Sequence, residues 1–188
     1  MPLVLDDPRV LVTGSRAWPA RATVHDVLDR LLDRYGERLV VIEGRARGAD
    51  MAAHDWCERR RLGPERHRCY PVDWPAEQRR RPDGWRQAGH DRNTRMLLLE
   101  RPRLVVAFHH RFDVGAGGTS DMCLKGLLAG LPVWLVAGPD PLEGHWLRLD
   151  LFPGRRVARA RQSLESWAVS LAAEPRHDLA GIELPGPD

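Results

Sequence analysis

Apolar residues follow two spacings along the chain as far as residue 136. Short apolar runs rich in β-branched residues predict buried strands, and apolar positions three or four residues apart predict amphipathic helices between them. Strands that alternate with helices in this way are typical of an α/β fold, a parallel sheet with helices on both of its faces. The predicted strands are Arg9 to Thr13, Leu39 to Ile42, Arg68 to Val72, Arg103 to Ala107 and Val133 to Val136.

The predicted helices lie between these strands and after the last of them. Asp50 is expected to cap one helix, and Thr119 or Ser120 is expected to cap another, with Asp121 in its first turn. Residues 73–90 are polar and contain several prolines and glycines, which predicts a long loop over the sheet edge or a binding site. The helices are expected over Val24 to Tyr35, the segment that carries Ala52 to Cys57, His90 to Leu99, Cys123 to Leu131 and Gln162 to Ala173.

The alternating pattern ends in a cluster of turn residues at 138–141. Residues 142–160 show no clear period, and the last dozen residues, which end in LPGPD, have the composition of a disordered tail. The chain is therefore predicted to form a single domain, residues 9–137, with a short C-terminal extension, residues 138–188, that contains one helix and the tail.

Composition and cysteine content narrow the class of protein. The 188 residues are 43% hydrophobic and 29% charged, which is ordinary for a globular protein. No apolar run approaches the roughly 20 residues that span a bilayer, and the N-terminal residues lack the pattern of a secretion signal. The widely spaced cysteines do not make a disulfide framework. We therefore expect a cytoplasmic protein with no membrane partner.

The charge of the chain leaves a nucleic-acid partner open. Its formal net charge is +3 and its pI is near 9.1. Short arginine runs lie at Arg59–Arg61 and Arg79–Arg81, and a looser cluster consists of Arg155, Arg156, Arg159 and Arg161. Such runs are usually solvated surfaces, but they are also compatible with a weak contact to a nucleic-acid backbone.

Glycine-containing turns follow three different predicted strands. They are Gly14-Ser15-Arg16, residues 43–50 and residues 115–119. If the first, second and fourth strands are neighbours, these turns meet at one edge of the sheet, where open α/β sheets bind ligands. A helix N-terminus behind glycines presents free N–H groups, so the expected ligand is an anion, usually a phosphate. The alternative is that these segments are simple turns without a ligand.

Several motifs in this order resemble the YspA-like branch of the SLOG superfamily, the group that includes SMF/DprA and Lonely-guy proteins. They are RVLVTGSR, EGRARGAD, the pair Arg92-Asn93 with Met96, VVAF and GGTSDM, and the resemblance covers roughly residues 9–137. The resemblance implies a Rossmann-like fold and a nucleotide or nucleotide-derived ligand, so that residues 9–137 form a SLOG-like nucleotide-binding domain. Lonely-guy relatives release the base from a nucleoside 5′-monophosphate, and DprA binds single-stranded DNA.

The Lonely-guy signature P-G-G-x-G-T-x-x-E is partly kept in the corresponding loop. The resemblance places Asp121 one residue before the position of the signature's glutamate, which falls on Met122. Arg92 and Met96 match the R-x-x-x-M spacing that precedes the loop, and this arginine is catalytic in the relatives. The resemblance thus implies a phosphate-binding loop in which the acid of the hydrolase reaction is displaced. At the other positions of the signature, Val114 stands at the proline, Gly115 and Ala116 stand at the first two glycines, and Gly118-Thr119 stands at the later Gly-Thr.

The candidate site combines one acid with several cations. Asp121 at a helix start would stay ionised, and a carboxylate near the sugar would stabilise the positive charge that develops during N-glycosidic cleavage. Arg92 could hold a phosphate with two hydrogen bonds, completed by Arg16 and Arg47. Asn93 could bind a ribose hydroxyl. The catalytic candidates are Asp121 and Arg92, and the ligand-binding candidates are Gly14, Ser15, Arg16, Gly44, Arg47, Gly48, Asn93, Gly115, Gly117, Gly118 and Thr119.

The sequence indicates no metal site and no cofactor. His109 and His110 are adjacent, so their side chains point apart on an extended segment. His54 and Cys57 share a helix face but lack the paired spacing of a zinc motif. A magnesium ion would enter only with the phosphates of a ligand.

Three functions therefore stay open. The first is a protein that binds a nucleotide and cleaves the N-glycosidic bond of a nucleoside phosphate. The second is a single-stranded nucleic-acid-binding protein of the DprA type, and the third is a nucleotide sensor without catalysis. The sequence leaves a homo-oligomer open in each case.

Overall fold

A mixed sheet forms the centre of the computed structural model, which describes residues 5–173. Its strands are β1 (Arg9–Gly14), β2 (Val40–Glu43), β3 (His67–Cys69), β4 (Leu104–Phe108), β5 (Val133–Val136) and β6 (His145–Trp146). They lie in the order β3-β2-β1-β4-β5-β6. The first five strands pair in parallel with their neighbours, and β6 pairs antiparallel with β5. The predicted α/β architecture is confirmed.

Helices cover both faces of the sheet. They are α1 (Arg21–Tyr35), α2 (Ala49–Arg59), α3 (Trp74–Arg80), α4 (Ala88–Glu100), α5 (Gly118–Leu128) and α6 (Gly154–Ala173). Successive side chains of a strand point to opposite faces, and β1 shows how the two layers divide. Val10 and Val12 belong to the core cluster that includes α1 and α2, whereas Leu11 belongs to the cluster that includes α4, α5 and α6. The apolar positions in the sequence therefore fold into three layers, with the sheet between two layers of helices.

The strand order brings the three glycine turns to one edge of the sheet. β1 lies between β2 and β4, as the proposed meeting of the turns requires. From β1 the chain moves outward to β2 and β3, and then returns to place β4 and β5 on the other side. The direction in which successive strands are added to the sheet therefore reverses between β1 and β4. The carboxyl ends of these two strands flank the crevice in which such sheets bind ligands.

The structure corrects several predicted elements. Residues 73–90, expected to be a loop, contain α3 and a short 3-10 turn at Trp85–Gln87. Asp73 caps α3, because its carboxylate accepts a hydrogen bond of 2.9 Å from the Ala76 N–H. The third strand is shorter than the predicted Arg68 to Val72. α6 begins at Gly154, eight residues before the predicted start at Gln162, in the stretch where no period was recognised.

Two helix starts also differ from the prediction. α2 and α5 are capped by Gly48 and Gly117, at φ of 89° and 93°, and not by the side chains of Asp50 and of Thr119 or Ser120. Glycine suits these positions because a positive φ costs it little. Asp121 does lie in the first turn of α5, as expected.

The predicted disordered tail lies outside the described residues, since the description ends at residue 173. In residues 5–173, none of the helices combines the length and the apolar character needed to cross a bilayer.

Candidate functional site

A cavity of about 350 Å³ lies where β1, the α2 start, α4 and the α5 start come together. Its position is the crevice between the carboxyl ends of β1 and β4. Several residues from the sequence-predicted set line it together: Gly14, Ser15, Arg16, Arg92, Asn93, Gly118 and Thr119. The structure thus brings together the first turn, the α4 pair and the end of the third turn.

The start of α5 forms one wall of this cavity. The first N–H groups of an α-helix have no partner within the helix, so the first turn offers donors to a ligand. The amide of Asn93 donates to the Gly118 carbonyl over 3.2 Å, which ties α4 to this helix start. From α6, the guanidinium of Arg156 donates to the Val114 carbonyl (2.6 Å) and to Oγ of Ser120 (2.9 Å). The glycine loop is therefore held from both sides.

The first turn fits closely against its neighbours. The Ser15 N–H donates to the Phe108 carbonyl over 2.8 Å, and the Ser15 carbonyl accepts from the Ala49 N–H over 3.3 Å. A Cβ at Gly14 would lie 2.5 Å from both the Phe108 carbonyl oxygen and Cβ of Ala49. A Cβ at Gly48 would overlap the Ser15 carbonyl oxygen. Both glycines are needed for the close packing of this turn.

Arg92 reaches from α4 to the second turn. Its Nη1 donates to the Gly44 carbonyl and, over 3.3 Å, to the Tyr70 carbonyl. A Cβ at Gly44 would overlap this guanidinium, so the absence of a side chain there makes room for Arg92. Nε of Arg92 is buried, and no atom of residues 5–173 accepts a hydrogen bond from it. The arginine also borders a neighbouring cavity of about 590 Å³, which is lined by Gly44 and Arg47.

Asp50 adds an acid to the cavity wall. Its side chain is 4% exposed, accepts from the Gly44 N–H over 3.2 Å and lies 3.9 Å from Nη1 of Arg92. Burial raises the pKa of Asp50 to about 7, although the positive charge of Arg92 opposes the shift. The prediction that Asp50 caps α2 is wrong, and its carboxyl group lines this cavity instead.

Asp121 lies on the other side of His90, outside this lining. Its carboxylate is 3.2 Å from Nδ1 of His90 and 3.0 Å from Nζ of Lys125. Burial acts to raise the pKa of Asp121, but hydrogen bonds and positive charge from these two partners outweigh it and lower that pKa. Asp121 borders a different cavity, of about 480 Å³, whose walls include Gly115. Gly117 lines neither of these two cavities, and its role is to cap α5 with a positive φ.

Several lining residues were not anticipated from the sequence. The cavity is also bordered by Trp74, Arg86, His90 and His109, and Trp74 comes from the segment predicted to be a loop. Cζ of Arg16 lies 5.6 Å from the centre of the Trp74 ring, within the range of a cation–π contact. The sequence did contain one indication of this wall, because Trp74 is a large aromatic residue in an otherwise polar stretch.

The short arginine runs are partly neutralised by acids. Arg60 pairs with Asp29, and Arg80 and Arg81 both pair with Glu77, with Arg81 also 2.8 Å from Asp91. This pairing supports the interpretation of these two runs as solvated surface.

Comparison with known families identifies the N-terminal part of the chain. Residues 8–74 match the model of the YAcAr family, described as the YspA, cpYpsA-related SLOG family. Over residues 8–74, this match confirms the resemblance stated from the sequence motifs. The matched segment runs from β1 to the start of α3 and contains the first two glycine turns and Asp50.

A phage protein is similar to about a third of the chain. The "Gene 61 protein" of Mycobacterium phage D29 is 46% identical over 71 residues, which cover 35% of this chain and 54% of the phage protein. The chain therefore matches about half of the length of that relative. No solved structure matches the chain at a significant level.

Proposed function

From the membership of residues 8–74 in the YspA, cpYpsA-related SLOG family, we propose that the chain binds a nucleotide or nucleotide-derived ligand in the 350 Å³ cavity. Family membership supports nucleotide-related binding in general, and the geometry of the cavity supports a specific orientation for the ligand. The phosphate lies at the α5 start, and the sugar and base extend toward Trp74 and Asp50.

The main support for the proposal is that the start of α5 and two arginine side chains line the same cavity. Gly118 and Thr119 bring the first turn of α5 to the cavity, and Arg16 and Arg92 reach it from the first turn and from α4. Backbone N–H groups at a helix start favour an anion, and guanidinium groups add charge-assisted hydrogen bonds to phosphate oxygens. Because none of the described residues accepts a hydrogen bond from the buried Nε of Arg92, this group retains a hydrogen bond that it can donate to such a ligand.

The remaining walls suit the rest of a nucleotide. Trp74 offers an aromatic face for a base, since stacking on indole does not depend on which base is present. Asn93 borders the cavity with an amide that can exchange its contact with the Gly118 carbonyl for a ribose hydroxyl. The cavity volume of about 350 Å³ is within the usual range for small-molecule sites.

Cleavage of an N-glycosidic bond would use an acid with access to the cavity. Asp50 has this access, and its pKa near 7 lies in the range that suits a general acid or base at neutral pH. Arg92 would hold the phosphate while the charge develops on the sugar. Asp121 stays a prediction as the catalytic acid, but it would act through His90 or Asn93, which stand between it and the cavity.

The test is a titration of the full chain with a panel of nucleoside monophosphates, with inorganic phosphate as a comparison. Binding should raise the unfolding temperature, and a ligand at about 100 times its dissociation constant should add roughly 2.7 kcal/mol of stability. Arg16→Ala should weaken binding, whereas Arg79→Ala, on the exposed side of α3, should not. If no nucleotide binds, or if both variants bind like the wild type, the proposal fails.

Salt separates this proposal from nucleic-acid binding. A single phosphate in a cavity loses affinity gradually as salt rises, whereas a protein that contacts many phosphates loses it steeply. Measurement of affinity for a monophosphate and for single-stranded DNA at two salt concentrations therefore distinguishes the two functions.

A further inference from the structure

Four side chains with metal-binding atoms meet between the sheet and α2, outside the lining of the nucleotide cavity. They are Glu43 from β2, His54 from α2, and His67 and Cys69 from β3. One potential ligand atom from each lies within 4.8 Å of every other. Neither the proposed nucleotide binding nor the sequence motifs account for this cluster.

The fold explains why residues so far apart in sequence converge. Glu43 and Cys69 are register partners in neighbouring parallel strands, so their side chains leave the sheet on the same face. His67 lies two residues before Cys69 on β3 and therefore points to that face as well. α2 packs over this face and supplies His54. The cluster thus sits on two strands and a helix, which hold its geometry more rigidly than loops would.

Three of the separations between these atoms are close to those around a tetrahedral zinc ion. Oε1 of Glu43 is 3.0 Å from Nδ1 of His54 and 3.0 Å from Nε2 of His67. Sγ of Cys69 is 3.8 Å from Nδ1 of His54. With zinc–ligand bonds of about 2.0 to 2.3 Å, tetrahedral neighbours lie roughly 3.3 to 3.6 Å apart. Shifts of a few tenths of an ångström would bring these three separations to tetrahedral values, and the remaining pairs, which lie within 4.8 Å, would have to close by at most about 1.5 Å.

The surroundings prepare the carboxylate and one imidazole for this role. The Arg45 N–H donates to Oε2 of Glu43, which leaves Oε1 to face the cluster. Oε1 of Glu58 lies 3.7 Å from Nδ1 of His67, on the side of the ring away from Glu43. A carboxylate behind a metal-binding histidine orients the ring and strengthens it as a ligand. Glu43 and His67 are buried, and His54 and Cys69 are partly exposed, so the cluster is largely shielded from solvent but open to an entering ion on one side.

We propose that Glu43, His54, His67 and Cys69 bind one Zn²⁺ as a structural site that fastens β2 and β3 to α2. Two nitrogens, one sulfur and one oxygen are ligand types that zinc accepts, and four protein ligands close the coordination shell without a position for a substrate. The ion would stabilise the base of the second glycine turn, since Glu43 directly precedes Gly44. The alternative is a metal-free hydrogen-bond network among the same side chains.

The test is metal titration of the full chain after treatment with a chelator. Co²⁺ should bind with a stoichiometry of one per chain and give the absorption of a tetrahedral site together with a thiolate-to-cobalt charge-transfer band. Zn²⁺ should displace the cobalt and raise the unfolding temperature. Failure of the intact chain to bind a stoichiometric ion would overturn the proposal and leave the hydrogen-bond network.

Matched cysteine variants identify the ligand. Cys69→Ser should abolish the charge-transfer band and weaken zinc binding by more than about tenfold, because loss of even an outer partner costs that much. Cys57→Ser, on α2 and outside the cluster, should keep both. His54→Gln should weaken binding similarly and serves if Cys69→Ser does not fold, as judged by circular dichroism. A band that persists in Cys69→Ser, or zinc affinity unchanged in His54→Gln, contradicts the site.

Discussion

The ammonium of Lys125 lies 3.0 Å from the carboxylate of Asp121, one helical turn away on α5. Lys125 is the only lysine in the sequence, and it is 1% exposed. It also donates to Oγ1 of Thr94 over 2.8 Å, so the pair connects α5 with α4. The charge of Asp121 is therefore neutralised by a buried partner, which gives this acid a structural role whether or not it takes part in chemistry.

Lys125→Met should destabilise the fold strongly. Methionine keeps the length and apolar stem of the side chain but leaves the carboxylate of Asp121 without its buried cation. Removal of one partner of such a pair typically costs about 3 to 5 kcal/mol. The measurement is the free energy of unfolding in a denaturant titration at neutral pH.

The double variant Lys125→Met/Asp121→Asn supplies the control for this pair. If the loss arises from an unpaired buried charge, neutralisation of the acid should recover a large part of it. The single variant Lys125→Arg keeps the positive charge but should still be less stable than the wild type, because a planar guanidinium needs more space than the ammonium and has a different donor geometry. Additive losses in the double variant would show that the two charges do not depend on each other.

Much of the fold was predictable because the buried strands carry a strong local signal. Four of the five predicted strands lie within one residue of the observed ones at each end, and the order of glycine turns correctly indicated a single sheet edge. α3 was missed because its stability comes from an Asp73 cap and from the contact of Trp74 with Trp85, and not from an apolar period. The early start of α6 was missed because arginines dominate its first turns.

The candidate site was less predictable, since side-chain direction depends on packing. The spacing of Arg92 and Asn93 marked the right helix, but nothing in the sequence separates Asp50 inside the cavity from Asp121 behind His90. The cluster of Glu43, His54, His67 and Cys69 is not visible in the sequence for a related reason. Its four side chains converge only after β2 and β3 are placed side by side, and spacing within either strand does not reveal that contact.

Gly44→Ala should weaken nucleotide binding through Arg92. The new methyl group would overlap the guanidinium, which must leave its position beside the Gly44 carbonyl. Because Gly44 has no positive φ, the backbone itself tolerates alanine. We expect at least a tenfold loss of affinity for a nucleoside monophosphate, equal to about 1.4 kcal/mol, in calorimetric titration.

Gly84→Ala is the matched control for this substitution. A Cβ at Gly84 would lie 4.0 Å from Cβ of Arg81, an ordinary contact, and Gly84 does not line the cavity. Its affinity should equal that of the wild type. Equal affinity in Gly44→Ala would mean that Arg92 either stays in place or does not contribute to binding.

The buried carboxyl group of Asp50 should make the stability of the free protein fall as pH rises from about 4 to about 7. In the unfolded chain this group ionises near its ordinary pKa of 3.8, whereas in the fold its pKa is about 7. Between these values the unfolded state holds fewer protons, so rising pH favours unfolding. Other titrating groups contribute to the profile, and the difference between variants isolates the effect of Asp50.

Asp50→Asn should remove this part of the pH dependence. Relative to the wild type, the variant should gain roughly 2 to 4 kcal/mol of stability between pH 4 and pH 7. Asp83→Asn, at an exposed aspartate, should keep the wild-type profile. Parallel profiles for wild type and Asp50→Asn would contradict a raised pKa at this position.

Asp50→Asn and Asp121→Asn together should locate the acid, if the protein cleaves a nucleoside phosphate. Both substitutions preserve side-chain size, and Asp50→Asn removes a titrating group that borders the cavity. We expect Asp50→Asn to lower the rate of base release by at least about a hundredfold, the usual contribution of a general acid or base, with smaller changes in binding. Asp121→Asn should act mainly on stability, because His90 and Lys125 hold this carboxylate away from the ligand.

Chromatography of a nucleoside monophosphate panel incubated with each protein measures the release of free base. A loss confined to Asp121→Asn would return the catalytic role to that acid and require His90 to relay its effect. If the wild type binds a nucleotide but releases no base, the protein is a sensor, and Asp50 then controls the pH dependence of binding instead of a reaction.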